Sequence, residues 1–126
     1  MTDDPIRVLI VDDHPVVRTG LRGMLEGAPG IVIAGEAGSG DEAVAFARAL
    51  RPDVILMDLR MPNGDGVSAT RRILAERPEA RVVVLTTYET DQDILRAVEA
   101  GATGYLLKDT ARDDLIAAIA AARRGE

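Results

Sequence analysis

Four uninterrupted aliphatic runs, at Arg7–Val11, Asp53–Met57, Arg81–Leu85 and Gly104–Leu107, constrain this chain more than any other feature. A strand with one wet face alternates apolar and polar residues. A continuous run needs cover on both faces, which is the pattern of a parallel strand between two helical layers. Each run also ends on polar groups: Asp12-Asp13, Asp58, Thr86-Thr87 and Lys108. In open parallel sheets the carboxyl ends of the strands line the crevice where ligands bind. Three carboxylates, two hydroxyls and one ammonium are therefore expected to meet on one edge.

Helical patterns fill the gaps. Val17, Leu21, Met24 and Leu25 share one face of a segment starting near Pro15, a favoured first-turn position. Residues 31–37 read as a further strand, and Asp41 reads as the cap of a helix running to Leu50. Residues 67–76 form a third helix halted by Pro78, and residues 91–100 a fourth closed by Gly101. An alanine-rich fifth covers residues 113–124. Strands and helices in alternation call for right-handed crossovers and a doubly wound α/β fold. Residues 1–5 read as a disordered tail and residues 6–126 as one domain without repeats.

Composition narrows the function. Apolar residues make up 47% of the chain but aromatics only 2%, so the core is aliphatic. With no cysteine, disulfides and thiolate metal sites are excluded, which fits a reducing cytoplasm. A net charge of −6 argues against this segment gripping nucleic acid by itself, since phosphate binding needs a basic face. No apolar stretch approaches the roughly 18 residues of a membrane span, and no signal peptide opens the chain. The expectation is a cytoplasmic domain without membrane contact.

Lys108 is the single lysine among fifteen basic residues. Arginine serves wherever any cation will do. The one exception, at the end of a core strand, is a compact point charge able to approach a single phosphoryl oxygen.

With these motifs in order, the sequence resembles the receiver domain of two-component response regulators. The matching pieces are Val11-Asp12-Asp13-His14, Met57-Asp58-Leu59-Arg60-Met61-Pro62, Asp65-Gly66, Leu85-Thr86-Thr87 and residues 100–108. The Leu-Leu-Lys-Asp ending at 106–109 and the Thr-Thr-Tyr step at 86–88 look most like the NarL/LuxR class of transcriptional regulators. The resemblance implies a flavodoxin-like five-stranded sheet of order 2-1-3-4-5 with five helices. It implies Asp58 as phosphoacceptor, since a carboxylate can hold phosphorus as an acyl phosphate. Crowded carboxylates need a cation among them, and magnesium, with manganese as an alternative, prefers oxygen ligands. By resemblance Asp13 and Asp58 bind it directly, Arg60 through its backbone carbonyl and Asp12 through water. Capping of the helix at Pro15 is a second role open to either Asp12 or Asp13.

Thr86 and Lys108 match the family's phosphoryl-contacting hydroxyl and ammonium, in a reaction where positioning and charge stabilisation do most of the catalysis. Thr86 and Tyr105 match its switch pair, the ring moving inward as the hydroxyl turns toward the phosphoryl group. Thr87 corresponds to the small residue beside the site. Arg60 and Tyr88 flank the path of hydrolytic water. His14, just before Pro15, reads as an ordinary polar residue of a first helical turn. Many receivers place a cis-proline after the lysine; here Asp109 follows Lys108, leaving that bond's geometry open.

The implied partners are a sensor histidine kinase and, on phosphorylation, a second copy of the chain. Pairing would involve the first and fifth helices, where Leu21, Leu25, Ile116 and Ile119 are apolar and some must face the sheet. DNA would be bound through a helix-turn-helix domain not present in residues 1–126. A stand-alone or phosphorylation-independent receiver-like module is the alternative. A magnesium-dependent phosphohydrolase of the haloacid type needs two aspartates two residues apart; Asp12 and His14 stand there, so that pattern fails.

Overall fold

The computed structural model describes residues 4–59, 61, 66–86 and 91–125, with the side chains of residues 91–94 left aside. Ten elements alternate: β1 (Ile6–Val11), α1 (Pro15–Leu25), β2 (Ile31–Ala37), α2 (Gly40–Leu50), β3 (Val54–Asp58), α3 (Gly66–Glu76), β4 (Arg81–Thr86), α4 (Asp91–Ala100), β5 (Gly104–Leu107) and α5 (Arg112–Arg123). All strand pairs are parallel, in the order β2-β1-β3-β4-β5. The expected sheet and its order are both present.

The pleat explains the aliphatic runs. Successive side chains of a strand point to opposite faces, so each run supplies two cores. Leu9, Val11, Ile55, Met57, Val82 and Val84 pack with Ala43, Val44 and Ala47 of α2, Val67 and Ile73 of α3, and Ala97 of α4. Their neighbours Val8, Ile10, Val54, Leu56, Val83 and Leu85 pack with Leu21 and Leu25 of α1 and Leu115 and Ile119 of α5. Alanine dominates the helical side of the first core, which lets three helices lie close over one face.

Local chemistry sets most boundaries. Pro15 opens α1 behind His14. The cap of α2 is Ser39, not Asp41: the Glu42 backbone N–H donates to Ser39 Oγ at 3.1 Å, while Glu42 Oε1 accepts from the Gly38 N–H at 2.7 Å. A hydroxyl at the residue before the first helical turn reaches the exposed amides; Asp41 already lies inside that turn. After α4 the chain reverses at Gly101, whose φ of +101° is a region that other residues avoid.

The question of which apolar residues of α1 and α5 face the sheet is settled by burial. Leu21, Leu25 and Ile119 are 5%, 1% and 0% exposed, and Ile116 packs on the same core. They cover the sheet, because the Ala-rich α5 has few other large side chains with which to do so.

Candidate functional site

The carboxyl edge of the sheet carries the polar strand ends. Beyond β1, the Asp12 N–H still donates to the Ala37 carbonyl at 3.1 Å. Asp58 is the last residue of β3, opposite Leu85, and Thr86 ends β4 opposite Leu107. The Lys108 N–H donates to the Thr86 carbonyl at 2.9 Å, so the lysine leaves the sheet from a fixed point. Among the described residues no peptide bond is cis, so the Lys108–Asp109 bond is trans.

Gly66 explains how α3 comes so near. A Cβ there would lie 2.2 Å from the Asp58 carbonyl oxygen and 2.8 Å from Leu59 Cα. Only a glycine lets the first turn of α3 sit on the backbone that presents Asp58. The Gly66 N–H donates to the Leu59 carbonyl at 3.0 Å, and the Thr70 hydroxyl donates to the Gly66 carbonyl at 2.7 Å.

Asp12 is fully buried and Asp58 2% exposed. Lys108 Nζ lies 3.0 Å from Asp12 Oδ2 and 3.1 Å from Asp58 Oδ1. Burial pulls the Lys108 pKa down, but the polar contacts and charges of Asp12 and Asp58 outweigh it and hold the ammonium above the ordinary lysine range. A buried carboxylate left without a cation is costly, and one ammonium serves two.

On the other side of Asp12 stands His14. The His14 backbone N–H donates to Asp12 Oδ1 at 2.8 Å, and Nδ1 of its ring lies 3.1 Å from the same oxygen. Nδ1 is also 3.0 Å from Asp13 Oδ1. The capping role left open for an acid thus falls to Asp12, on the N-cap amide of α1. Arg18, one turn into α1, donates through Nη1 to the Asp12 carbonyl and pairs through Nε with Glu36 at 3.3 Å. Sequence reasoning set His14 aside as an ordinary residue of a first helical turn and did not single out Arg18. Nothing distinguishes Arg18 among fourteen arginines, whereas a single histidine directly after two acids was a usable signal.

Ligand atoms of Asp12, Asp13, His14 and Asp58 lie within 4.8 Å of one another. Three carboxylates against one ammonium leave two negative charges when the imidazole is neutral. Asp12 Oδ2 and Asp13 Oδ1 are buried without an aligned hydrogen bond, although Lys108 Nζ and His14 Nδ1 approach them to 3.0 Å. The three carboxylates of this group are hard oxygen donors whose charge fits a divalent cation such as magnesium.

Thr86 is buried, 6% exposed, beside Asp58, and Tyr105 on β5 is 40% exposed. Arg60, Thr87 and Tyr88 lie outside the described residues. Among those residues no helix is long and apolar enough to cross a membrane.

Comparison with known proteins agrees with this geometry. The family described as response regulator receiver domain matches residues 8–120. The chain is 44% identical over 126 residues to the transcriptional regulatory protein YxjL of Bacillus subtilis, covering all of this chain and 58% of that protein. It is 46% identical over 121 residues to the transcriptional regulatory protein LiaR of the same species, covering 96% and 57%. It spans little more than half the length of these relatives. The signal receiver domain of the response regulator NarL from Mycobacterium tuberculosis superposes with a TM-score of 0.93 at 31% identity, covering 98% of this chain and 99% of that one. The chain belongs to the response regulator receiver domain family.

Proposed function

We propose that this receiver is switched by phosphorylation of Asp58. Support comes chiefly from Lys108, whose single ammonium spans buried Asp12 and Asp58 at 3.0 and 3.1 Å on the edge where ligands bind. One Asp58 carboxylate oxygen attacks the phosphorus of a phosphohistidine on a sensor kinase. The new O–P bond forms as the N–P bond breaks, and the freed imidazole leaves with the electron pair. Lys108 and the Thr86 hydroxyl take up the charge that spreads over the equatorial oxygens. Asp13, Asp58, the Arg60 carbonyl and Asp12 through water would hold magnesium or manganese, whose charge offsets the repulsion between carboxylate and phosphoryl group. Arg60 and Tyr88 would shield the acyl phosphate from water, with the small Thr87 leaving room for the phosphodonor.

Phosphorylation adds up to two negative charges beside Thr86. Thr86 turning inward leaves a space that Tyr105, half exposed on β5, enters. That movement alters the surface of α4, β5 and α5, biasing a pre-existing equilibrium. The receiver unit would cover residues 6–126 in a cytoplasmic regulator of transcription, pairing with a second copy on phosphorylation. DNA contact would reside in a domain outside these residues, because a net charge of −6 does not grip phosphates. Incubation with acetyl phosphate and magnesium should add one acid-labile phosphate, and Asp58→Asn should abolish it. Label that persists in Asp58→Asn refutes the assignment.

A further inference from the structure

We propose that His14 is a metal ligand of this edge, and that its imidazole gives the site a preference for zinc- and nickel-class divalent ions over magnesium. The inference rests on reading the edge as the phosphoryl-transfer site and concerns which ion that site selects. A site built from oxygens alone suits magnesium, calcium and manganese. A neutral imidazole nitrogen suits zinc, nickel and copper, and raises affinity along the Irving–Williams order.

The ring is held where a ligand must be. Its Nδ1 is 3.1 Å from Asp12 Oδ1 and 3.0 Å from Asp13 Oδ1, although the side chain as a whole is 63% exposed. The backbone N–H of His14 is tied to the same Asp12 oxygen at 2.8 Å, and Pro15 restricts the chain immediately after. Little freedom is left to lose on binding. Lys108 approaches from the other side, on Asp12 Oδ2 and Asp58 Oδ1, so ammonium and imidazole address different oxygens. An ion on the His14 side need not displace the lysine. It takes the space between Nδ1 and the two acids, and a proton carried on Nδ1 leaves to solvent. No other histidine and no cysteine exists in the chain to supply a nitrogen or sulfur ligand.

Functionally, a zinc-class ion seated on Asp12, Asp13 and His14 takes the acids that phosphoryl transfer requires. The receiver would then be silenced by such ions at concentrations where magnesium supports its phosphorylation.

The single imidazole makes the test direct. Untagged, nitrogen-15-labelled protein is titrated with zinc and, separately, with magnesium, and the ring nitrogens are followed by long-range proton–nitrogen spectra. Zinc should move Nδ1 to a metal-bound shift while Nε2 stays on the solvent side; magnesium should leave both in place. His14→Ala should lower the zinc-over-magnesium affinity ratio about tenfold or more. Asp13→Asn, checked for its fold by circular dichroism, should lose the Nδ1 response. A zinc shift at Nε2, or an unchanged affinity ratio in His14→Ala, overturns the proposal. Magnesium-supported labelling of the wild-type protein is scored separately. Label on Asp58 without an Nδ1 response removes the His14 inference alone, and an Nδ1 response without label removes the phosphoacceptor reading alone.

Discussion

Replacing Gly66 by alanine sets two effects against each other at the base of the site. In a helix alanine is favoured over glycine by about 1 kcal/mol, partly through the unfolded chain. At Gly66, however, the added Cβ would sit 2.2 Å from the Asp58 carbonyl oxygen and 3.0 Å from its carbon. A Cβ essentially never comes within 3.0 Å of a non-bonded neighbour, so α3 must retreat from β3 by about 0.8 Å or Asp58 must move. Both partners are backbone, and neither can swing aside. Overpacking of this kind costs about 1–3 kcal/mol, which outweighs the propensity gain. We expect Gly66→Ala to be destabilised by about 1–2 kcal/mol. Phosphorylation by acetyl phosphate should fall much further than stability does, because a misplacement of about 1 Å can cost on the order of a hundredfold in rate. Gly20→Ala and Gly23→Ala on α1 are the internal controls: a Cβ at either meets nothing within 4 Å. Each should be stabilised by about 0.5–1 kcal/mol with its labelling rate unchanged. Urea unfolding and labelling rates, measured on all three variants, decide the matter. If Gly66→Ala is as stable as the controls and labels at the wild-type rate, the close approach of α3 to Asp58 has no consequence.

Two further expectations follow from the same edge and from α2. Lys108→Met leaves Asp12 and Asp58 buried without their shared ammonium, and should destabilise the metal-free domain by about 3 kcal/mol. Urea unfolding in chelator should show this, with a smaller penalty in magnesium. The raised folded pKa means that the lysine's contribution is fully present below the unfolded value of 10.5 and is lost only as pH rises through the higher folded one. The penalty should therefore be equal at pH 6 and pH 9, and a penalty vanishing at pH 9 would contradict the sign of the shift. Ser39→Ala removes the α2 cap and should cost about 1 kcal/mol, whereas Asp41→Ala should cost less in the same melts.

How far the chain can be read without its fold depends on whether a signal is local. The parallel sheet was legible because burial on both faces demands an unbroken aliphatic run, and each run carries its polar ending with it in sequence. Asp12, Asp58, Thr86 and Lys108 could therefore be placed on one edge before any contact was known. The cap of α2 was misread for a related reason: Ser39 and Asp41 both suit a cap, and only the position of the first free amide chooses between them. Which of Leu21, Leu25, Ile116 and Ile119 face the sheet stayed open, because periodicity identifies an apolar face without saying what covers it. Contacts across the sheet could not be read at all. β5 stands two strands from β3, about 10 Å at the usual spacing of roughly 4.8 Å, and Lys108 meets Asp58 only because side chains converge over the end of β4. His14 turning Nδ1 toward two acids, Arg18 holding the Asp12 carbonyl and Gly66 lying against Asp58 are likewise products of strand order and helix docking. Which groups the edge carries follows from the strand endings alone. The tertiary structure decided which of them touch, because those distances run between strands and helices that are remote along the chain.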